Sequence, residues 1–288
     1  MSANQPAGTA SVIVRSNRVP IENRTRNARK RRALELGLGI GIPALLIALW
    51  EVSAQLGWIN RQFFPAPSQS IIRGFEMIVE GRLLQDIGIT VYRVVVGYLI
   101  GGTIGFIAGV TMGTSRLLRR ALEPMLSALY TVPKLAILPI FLTIFGFGDA
   151  PILAIVSVTV FFYVWIYTME AVVAIPGGYL DAAKSFGVGG WAMFRHVILP
   201  ASMPAVAVGL RIAVGVALLI VVASEFIVGN KGVGYLIFNA RSLFRLEEAY
   251  AGIVTAALIG VILQGIVSWL GRRATPWVVG RDGRVPGH

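Results

Sequence analysis

Apolar residues are grouped along the chain into six long runs, separated by shorter and more polar segments. A helix rises about 1.5 Å per residue, so about 20 apolar residues cross a hydrocarbon core of about 30 Å. Each of the six runs is at least that long. The pattern therefore predicts an all-α membrane protein with six transmembrane helices, over residues 34–57, 89–113, 122–147, 150–175, 203–228 and 249–270.

The segments at the two ends of the chain are polar, which predicts a transmembrane domain over 34–275 with a cytoplasmic tail on each side. Residues 1–33 are strongly basic and predict a disordered tail, and residues 276–288 predict a second, shorter tail. Val52-Ser53-Ala54 resembles a signal-peptide cleavage site, so a removed signal is the alternative for the first run. The long basic segment and the five later runs favour an uncleaved anchor.

Two features indicate how the predicted helices pack and where they break. The second run has glycine at every fourth position from Gly97 to Gly109, a spacing that lets helices approach closely. The third run contains Pro124, Pro133 and Pro139, which predicts a broken helix. Between the first two runs, Ser68 is expected to cap a short amphipathic helix over 69–80 at the outer membrane surface.

Composition supports the membrane assignment and excludes several kinds of site. Of the residues, 56% are hydrophobic and only 14% are charged. Without cysteine the chain has no disulfide, no thiolate metal site and no cysteine nucleophile. Its two histidines, His196 and His288, are far apart, and no hydrolase motif is present. We therefore expect no catalytic residues, no metal and no cofactor, and a membrane enzyme is the third-ranked interpretation.

The distribution of Lys and Arg predicts the orientation of the chain. Seventeen of the 26 lie in residues 1–33, in the segments 113–120 and 176–201, and in residues 272–288, whereas six lie in the opposite loops. Basic residues concentrate on the cytoplasmic side of bacterial-type membrane proteins. Both termini are therefore expected in the cytoplasm, at the plasma membrane. The net charge of +12 is explained by this topology and by contact with lipid, so nucleic acid is not an expected partner.

The polar segment 176–201 is too long and too patterned for a simple turn. Asp181-Ala182-Ala183-Lys184 is a good start for a short helix, with an acid in its first turn. Gly187 allows a sharp turn, after which a second amphipathic helix leads to Pro200. Small alanines suit insertion into a groove of another protein, while an interfacial helix lying on lipid is an equal alternative.

The residues of this segment resemble the coupling loop of binding-protein-dependent ABC importer permeases. Asp181, Ala182, Ala183, Gly187, Leu199 and Pro200 match its pattern, with Asp181 in place of the commoner glutamate. Over about residues 50–275 the chain resembles the nitrate, sulfonate and taurine permease group. The further matching segments are 65–68, 92–94, 133–139, 145–148, 209–211, 224–226 and 232–235. Gln264 stands where many relatives carry an acid.

This resemblance implies a type I ABC importer permease without a catalytic site of its own, and indeed no phosphate-binding loop is present. It implies that the six matching residues couple the chain to two copies of an ABC ATPase subunit. It also implies an extracytoplasmic solute-binding protein, a permease homodimer and a small solute such as a sulfonate, taurine or nitrate. A secondary transporter driven by an ion gradient is the alternative from another class.

Four ionisable residues within the predicted spans are candidates for the translocation path or for structural ion pairs: Arg93, Lys134, Arg211 and Glu225. An intramembrane charge requires a partner or water. Arg93 and Glu225 lie at similar depth and are expected to pair. Lys134 and Arg211 would favour an anion on the path; alternatively, Lys134 snorkels to an interface and Arg211 binds backbone carbonyls.

The pair Glu247-Glu248 lies on an outer loop together with Arg241 and Arg245. Acidic side chains at this position could dock the solute-binding protein. The alternative is a solvated loop whose charges pair with each other.

Overall fold

The computed structural model describes residues 21–278, and these residues contain helices and turns but no strand. A 3₁₀ turn (Lys134–Ile137) precedes α5, and a π-helical turn (Phe194–Ile198) joins α8 to α9. The helices are α1 (Ile21–Gln55), α2 (Pro67–Val79), α3 (Arg82–Thr114), α4 (Arg116–Tyr130), α5 (Leu138–Phe145), α6 (Asp149–Val173), α7 (Gly177–Ser185), α8 (Gly190–Met193), α9 (Leu199–Val228), α10 (Val233–Ser242) and α11 (Leu246–Ala274).

The chain divides into two compact units, 1–58 and 59–288, and α1 belongs to the first. Its stretch Gly37–Gln55 is long and apolar enough to cross a membrane, as predicted. The helix begins at Ile21, so residues 21–33, which we predicted to be disordered, are helical. Arg, Lys, Glu and Ala in and after this segment are good helix formers, which explains the earlier start. The rest of that predicted tail, and residues 279–288, lie outside the described residues.

The second unit holds four long apolar helices, α3, α6, α9 and α11, each able to cross a membrane. The predicted third span is broken: α4 and the segment Lys134–Phe145 meet at an angle of 85°. Pro133 lies at the break and removes a backbone donor where the helix would have to continue. With the bent pair counted as one span, the described residues contain six spans, which agrees with the prediction.

The glycine spacing on α3 brings this helix into close contact with α6. A Cβ atom added to Gly101 would collide with the carbonyl oxygen of Ser157, and one added to Gly105 would lie 2.6 Å from that of Phe161. The same holds along the whole stripe, which faces α6 at every fourth residue: Gly97, Gly101, Gly105 and Gly109. The prediction of close helix packing at these positions is therefore confirmed.

Helix α6 lies at the centre of the second unit, and α11 lies at its edge. In their most apolar stretches, 56% of the residues of α6 are buried but only 6% of those of α11. Val156, Val160 and Val164 of α6 join Val214 and Val221 of α9 in the main apolar core. The exposed apolar side of α11 is therefore available to lipid or to another protein chain.

The amphipathic helix expected near the outer surface is present as α2, but Ser68 does not cap it. The helix begins at Pro67, whose fixed φ suits the first helical position. Ala66 is the cap residue, and its N–H donates to Gln69 Oε1 at 3.2 Å. The glutamine side chain thus satisfies the exposed start of the helix, which is why a serine cap is not required.

Candidate functional site

The segment predicted to couple the chain to an ATPase consists of α7, a turn, α8 and the π-helical turn. Helix α7 begins at Gly177, four residues before Asp181, so the acid is in the middle of the helix and not in its first turn. Pro176 precedes the helix and starts it early. Asp181 Oδ1 lies 3.3 Å from Lys184 Nζ, and both side chains are exposed.

Gly187 ends α7 in the way that its sequence position predicts. Its φ of +75° is a left-handed conformation, which favours glycine. The N–H of Gly187 donates to Lys184 O at 2.9 Å, and the N–H of Val188 donates to Ala183 O at 3.0 Å. These two bonds form a Schellman motif, which satisfies the last carbonyls of the helix and reverses the chain.

We expected the second helix of this segment to end at Pro200, but it continues beyond that residue. From Gly190 the chain is helical without interruption to Val228, so Leu199 and Pro200 are the first residues of α9. Proline is tolerated there because the π-helical turn already changes the hydrogen-bonding register. The exposed segment is therefore continuous with a long apolar helix that can cross the membrane.

Large apolar side chains on this segment are not covered by the described chain. Phe186 is 86% exposed, Trp191 70% and Tyr179 63%. A cavity of about 720 Å³ opens beside Tyr179, between the end of α6 and the start of α9. Its lining includes Tyr179, His196 and Trp277. Exposed aromatic residues next to a cavity are typical of a protein-binding surface.

At the opposite end of the helices, Arg93 forms the ion pair with Glu225 that the sequence predicted. Arg93 Nη1 lies 2.9 Å from Glu225 Oε1, and Glu225 is fully buried. The same guanidinium donates to Asp149 Oδ1 at 2.6 Å and to the backbone oxygen of Lys231 at 2.9 Å. Arg93 therefore joins α3 to α6, to α9 and to the loop after α9.

Glu225 also holds the loop between α9 and α10. Its carboxylate accepts hydrogen bonds from Thr90 Oγ1 at 3.0 Å and from the N–H of Gly234 at 2.8 Å. Thr90 Oγ1 in turn accepts the N–H of Val233 at 2.9 Å. Every oxygen of this buried carboxylate thus has a donor, which is the condition for keeping a charge away from water.

Lys134 binds neither Arg93 nor Glu225 in the described residues. Its ammonium donates to the carbonyls of Leu129, Tyr130 and Val132 at 2.8–2.9 Å. It also lies 4.5 Å from the centre of the Phe162 ring. The cation therefore satisfies the carbonyls at the end of α4 and holds the break against α6, by hydrogen bonds and a cation–π contact.

Arg211 differs from the other three candidates. Its side chain is exposed on α9, and within residues 21–278 it has no hydrogen-bond or ion-pair partner. The alternative that Arg211 binds backbone carbonyls is wrong for these residues; it is Lys134 that does so. Arg211 and Glu225 are fourteen residues apart, close to a whole number of helical turns, so the sequence places them on one side of α9. The spacing does not show that only Glu225 is buried.

Glu248, in the first turn of α11, is held by Arg73 and Arg82, which sequence analysis did not identify, as well as by Arg245. It is 4% exposed, and its Oε1 lies 2.9 Å from Arg73 Nη2 while its Oε2 lies 3.6 Å from Arg82 Nη1. Arg245 is 3.7 Å away. Hydrogen bonds with Glu248, and then with Glu76, raise the pKa of the Arg73 guanidinium above its usual value. Glu248 is therefore paired within the chain, as one alternative expected, but it is buried in the first turn of α11 and does not lie on a solvated loop.

Comparisons with known proteins agree with this architecture. Residues 101–276 match the family described as binding-protein-dependent transport system inner membrane component. A putative aliphatic sulfonates transport permease protein of Bacillus subtilis is 31% identical over 83% of this chain and 87% of its own length. A taurine transport system permease protein of Escherichia coli is 29% identical over 84% and 90%.

The fold of the second unit is also found in solved structures. The inward-facing MetNI methionine ABC transporter matches 68% of this chain and 98% of its own, with a TM-score of 0.60 and 19% identity. That likeness concerns the fold alone. The family match and the sequence identities agree with this helical fold. The chain belongs to the family of inner-membrane components of binding-protein-dependent transport systems.

Proposed function

We propose that the chain is the permease of an ATP-driven importer of a small oxyanion, and that α7 with the following turn docks on the ATPase subunit. The observation that carries this proposal is the exposed aromatic surface around Gly187. Asp181, Ala182, Ala183, Gly187, Leu199 and Pro200 form the coupling residues. A helix that is rigidly ended at Gly187 and continuous with α9 from Gly190 is suited to pass force into the membrane.

The orientation follows from the distribution of charge. The exposed segment 176–201 lies on the side of the membrane with seventeen of the basic residues, which supports a cytoplasmic location for it and for both termini. ATP is hydrolysed by two ATPase subunits on that side of the plasma membrane. A solute-binding protein delivers the substrate from the other side. Two copies of this chain form the pathway, and the exposed apolar side of α11 is consistent with such a contact.

We infer the substrate class from the names of related proteins and from the exposed side chain of Arg211. Proteins named for aliphatic sulfonate, taurine and nitrate transport are 29–32% identical to this chain. Lys134 no longer supports an anionic substrate, because carbonyl oxygens occupy its ammonium. Arg211 still does, because its guanidinium is exposed and without a partner in the described residues. A sulfonate, including taurine, or nitrate is therefore the expected cargo.

Affinity purification in mild detergent tests the coupling role. Gly187→Val forces a branched side chain into a left-handed backbone, whereas Gly189→Val is a matched control because Gly189 has φ −146° and no atom near its Cβ position. We expect a stoichiometric ATPase with wild type and with the Gly189 variant, and its loss with the Gly187 variant. A homo-oligomer without ATPase in several detergents would contradict the proposal and favour transport driven by an ion gradient.

A further inference from the structure

Two arginines face one small pocket in the groove between α9 and α11. The pocket has a volume of about 150 Å³, and its lining includes Arg211 of α9 with Ser268 and Arg272 of α11. Arg272 belongs to the last turn of α11. Arg211 shares this pocket with Arg272, so both lie towards the end of the helix pair at which α11 finishes. Among the described residues, two cations and no carboxylate thus line this site.

Neither guanidinium has a partner in the part of the chain that the structure describes. Both side chains are exposed, and no hydrogen bond, ion pair or aromatic contact involves them. The neighbouring Arg273 is different, since it lies 5.0 Å from the centre of the Trp269 ring. Like charges that share one small pocket repel each other unless a counter-ion or water lies between them. An anion bound between the two guanidiniums would remove this repulsion.

The packing of the two helices explains why the arginines converge. A Cβ atom added to Gly271 would lie 3.1 Å from Ala207 Cβ, and one added to Gly215 would lie 2.7 Å from Gln264 Nε2. The helices approach closely at these glycines, so the long side chains of Arg211 and Arg272 extend from the two walls of one groove. Ser268 also lines the pocket and adds a hydroxyl that can donate to an anion.

We propose that Arg211 and Arg272, with the hydroxyl of Ser268, form a binding site for a single oxyanion group: sulfonate, phosphate or nitrate. The guanidinium presents parallel N–H groups whose spacing matches two oxygens of such a group. The pocket is large enough for one headgroup of this kind. The oxyanion has two sources, the phosphate of an anionic lipid and a free oxyanion in transit; the second rests on the proposed function.

Full-length protein in nanodiscs distinguishes these sources. In phosphatidylcholine nanodiscs, added ethanesulfonate measures binding of a free oxyanion through the midpoint of thermal unfolding. In nanodiscs that contain phosphatidylglycerol, native mass spectrometry measures the retained anionic lipid. The variants are Arg211→Gln and Arg272→Gln, with Arg273→Gln as the matched control, because it removes an adjacent charge that does not line the pocket. Arg211→Lys keeps the charge and removes the bidentate geometry.

We expect both pocket variants to weaken oxyanion binding roughly tenfold, as for the loss of one charge-assisted hydrogen bond, with the lysine variant intermediate and the control unchanged. Loss of the ethanesulfonate response identifies the free oxyanion, and loss of retained phosphatidylglycerol alone identifies the lipid. If Arg273→Gln has as large an effect, or if neither probe depends on Arg211 and Arg272, the site does not exist. Purification of the ATPase with each variant reports separately on the proposed function.

Discussion

The two charged residues of α9 have opposite surroundings, although the sequence places them on one side of the same helix. Glu225 is fully buried and accepts hydrogen bonds from Arg93, Thr90 and the loop after α9. Arg211, fourteen residues earlier, is exposed and has no partner among the described residues. Hydrogen bonds to Glu225 therefore hold one end of α9 in place. The guanidinium of Arg211, in the other half of the helix, is available to bind a ligand.

This difference separates a structural role from a binding role. A buried carboxylate that loses its cation becomes an uncompensated charge, so the pair must form with the fold. An exposed guanidinium contributes little to folding and keeps its donors available for a ligand. The same contrast holds between the first turn of α11, where Glu248 has three arginines near it, and the pocket of Arg211 and Arg272 near the last turn of that helix.

The largest effect is expected from removing the buried charge. Glu225→Gln leaves Arg93 with the carboxylate of Asp149 and the backbone oxygen of Lys231, and it weakens the hold on the loop at Gly234. We expect the free energy of unfolding to fall by about 3–5 kcal/mol, as for the loss of one member of a buried ion pair. Thermal unfolding in detergent and the monodisperse fraction after size-exclusion chromatography measure it.

Asp149→Asn is the matched control, because Asp149 contacts the same guanidinium but is 52% exposed. The loss of stability should be clearly smaller than for Glu225→Gln, because water can reach this exposed position and accept the hydrogen bonds of Arg93. If the two variants are equally destabilised, burial does not explain the importance of Glu225, and the comparison between the ends of α9 fails.

Lys134 adds to the comparison a cation whose hydrogen-bond acceptors are carbonyl oxygens of the same chain. Lys134→Met removes the donor to three carbonyls at the end of α4 and the contact with the Phe162 ring. We expect a loss of about 1.5–3 kcal/mol, the usual range for hydrogen bonds to a charged group. Lys184→Met, at an exposed ion pair, should cost much less. Equal unfolding midpoints for the two variants would show that the break does not depend on Lys134.

Adjacent acids at the start of α11 provide a smaller and closely matched test. Glu248 is buried against Arg73 and Arg82, whereas Glu247 is exposed. Glu248→Gln should lower the free energy of unfolding by about 1–2 kcal/mol, and Glu247→Gln should leave it nearly unchanged. Differential scanning fluorimetry of the two variants compares them directly. A larger effect at Glu247 would mean that the outer loop is held by contacts other than those of Glu248.

The sequence predicted what depends on local pattern. Long apolar runs predicted the spans, Pro133 the broken helix, the glycine stripe of α3 its contact with α6, and Gly187 the end of α7. Each of these features is decided by residues within a few turns of each other. The start of α7 at Gly177 was missed because Pro176 is a stronger signal for a first turn than the acid at Asp181.

Contacts between distant segments could be predicted only in part. The Arg93–Glu225 pair was found because two opposite charges at similar depth in apolar spans have few alternatives. Asp149 and Thr90 were missed, since polar residues near a helix end can also be satisfied by water. Arg73 was missed as the partner of Glu248 because 175 positions separate them and nearer arginines were available. Three-dimensional packing alone selects among such candidates.

The smallest effect on stability is expected at Arg211, and it is the sharpest test of the comparison, because Arg211 and Glu225 share α9. Arg211→Gln removes an exposed charge without a partner in the described residues, so the free energy of unfolding should change by less than about 0.5 kcal/mol. Thermal unfolding in nanodiscs of phosphatidylcholine, without added oxyanion, is the measurement. A loss as large as that of Glu225→Gln would mean that Arg211 is a structural residue with a partner in the assembled protein. An unchanged midpoint together with lost oxyanion binding would mean that the same helix carries one charge for folding and one for its ligand.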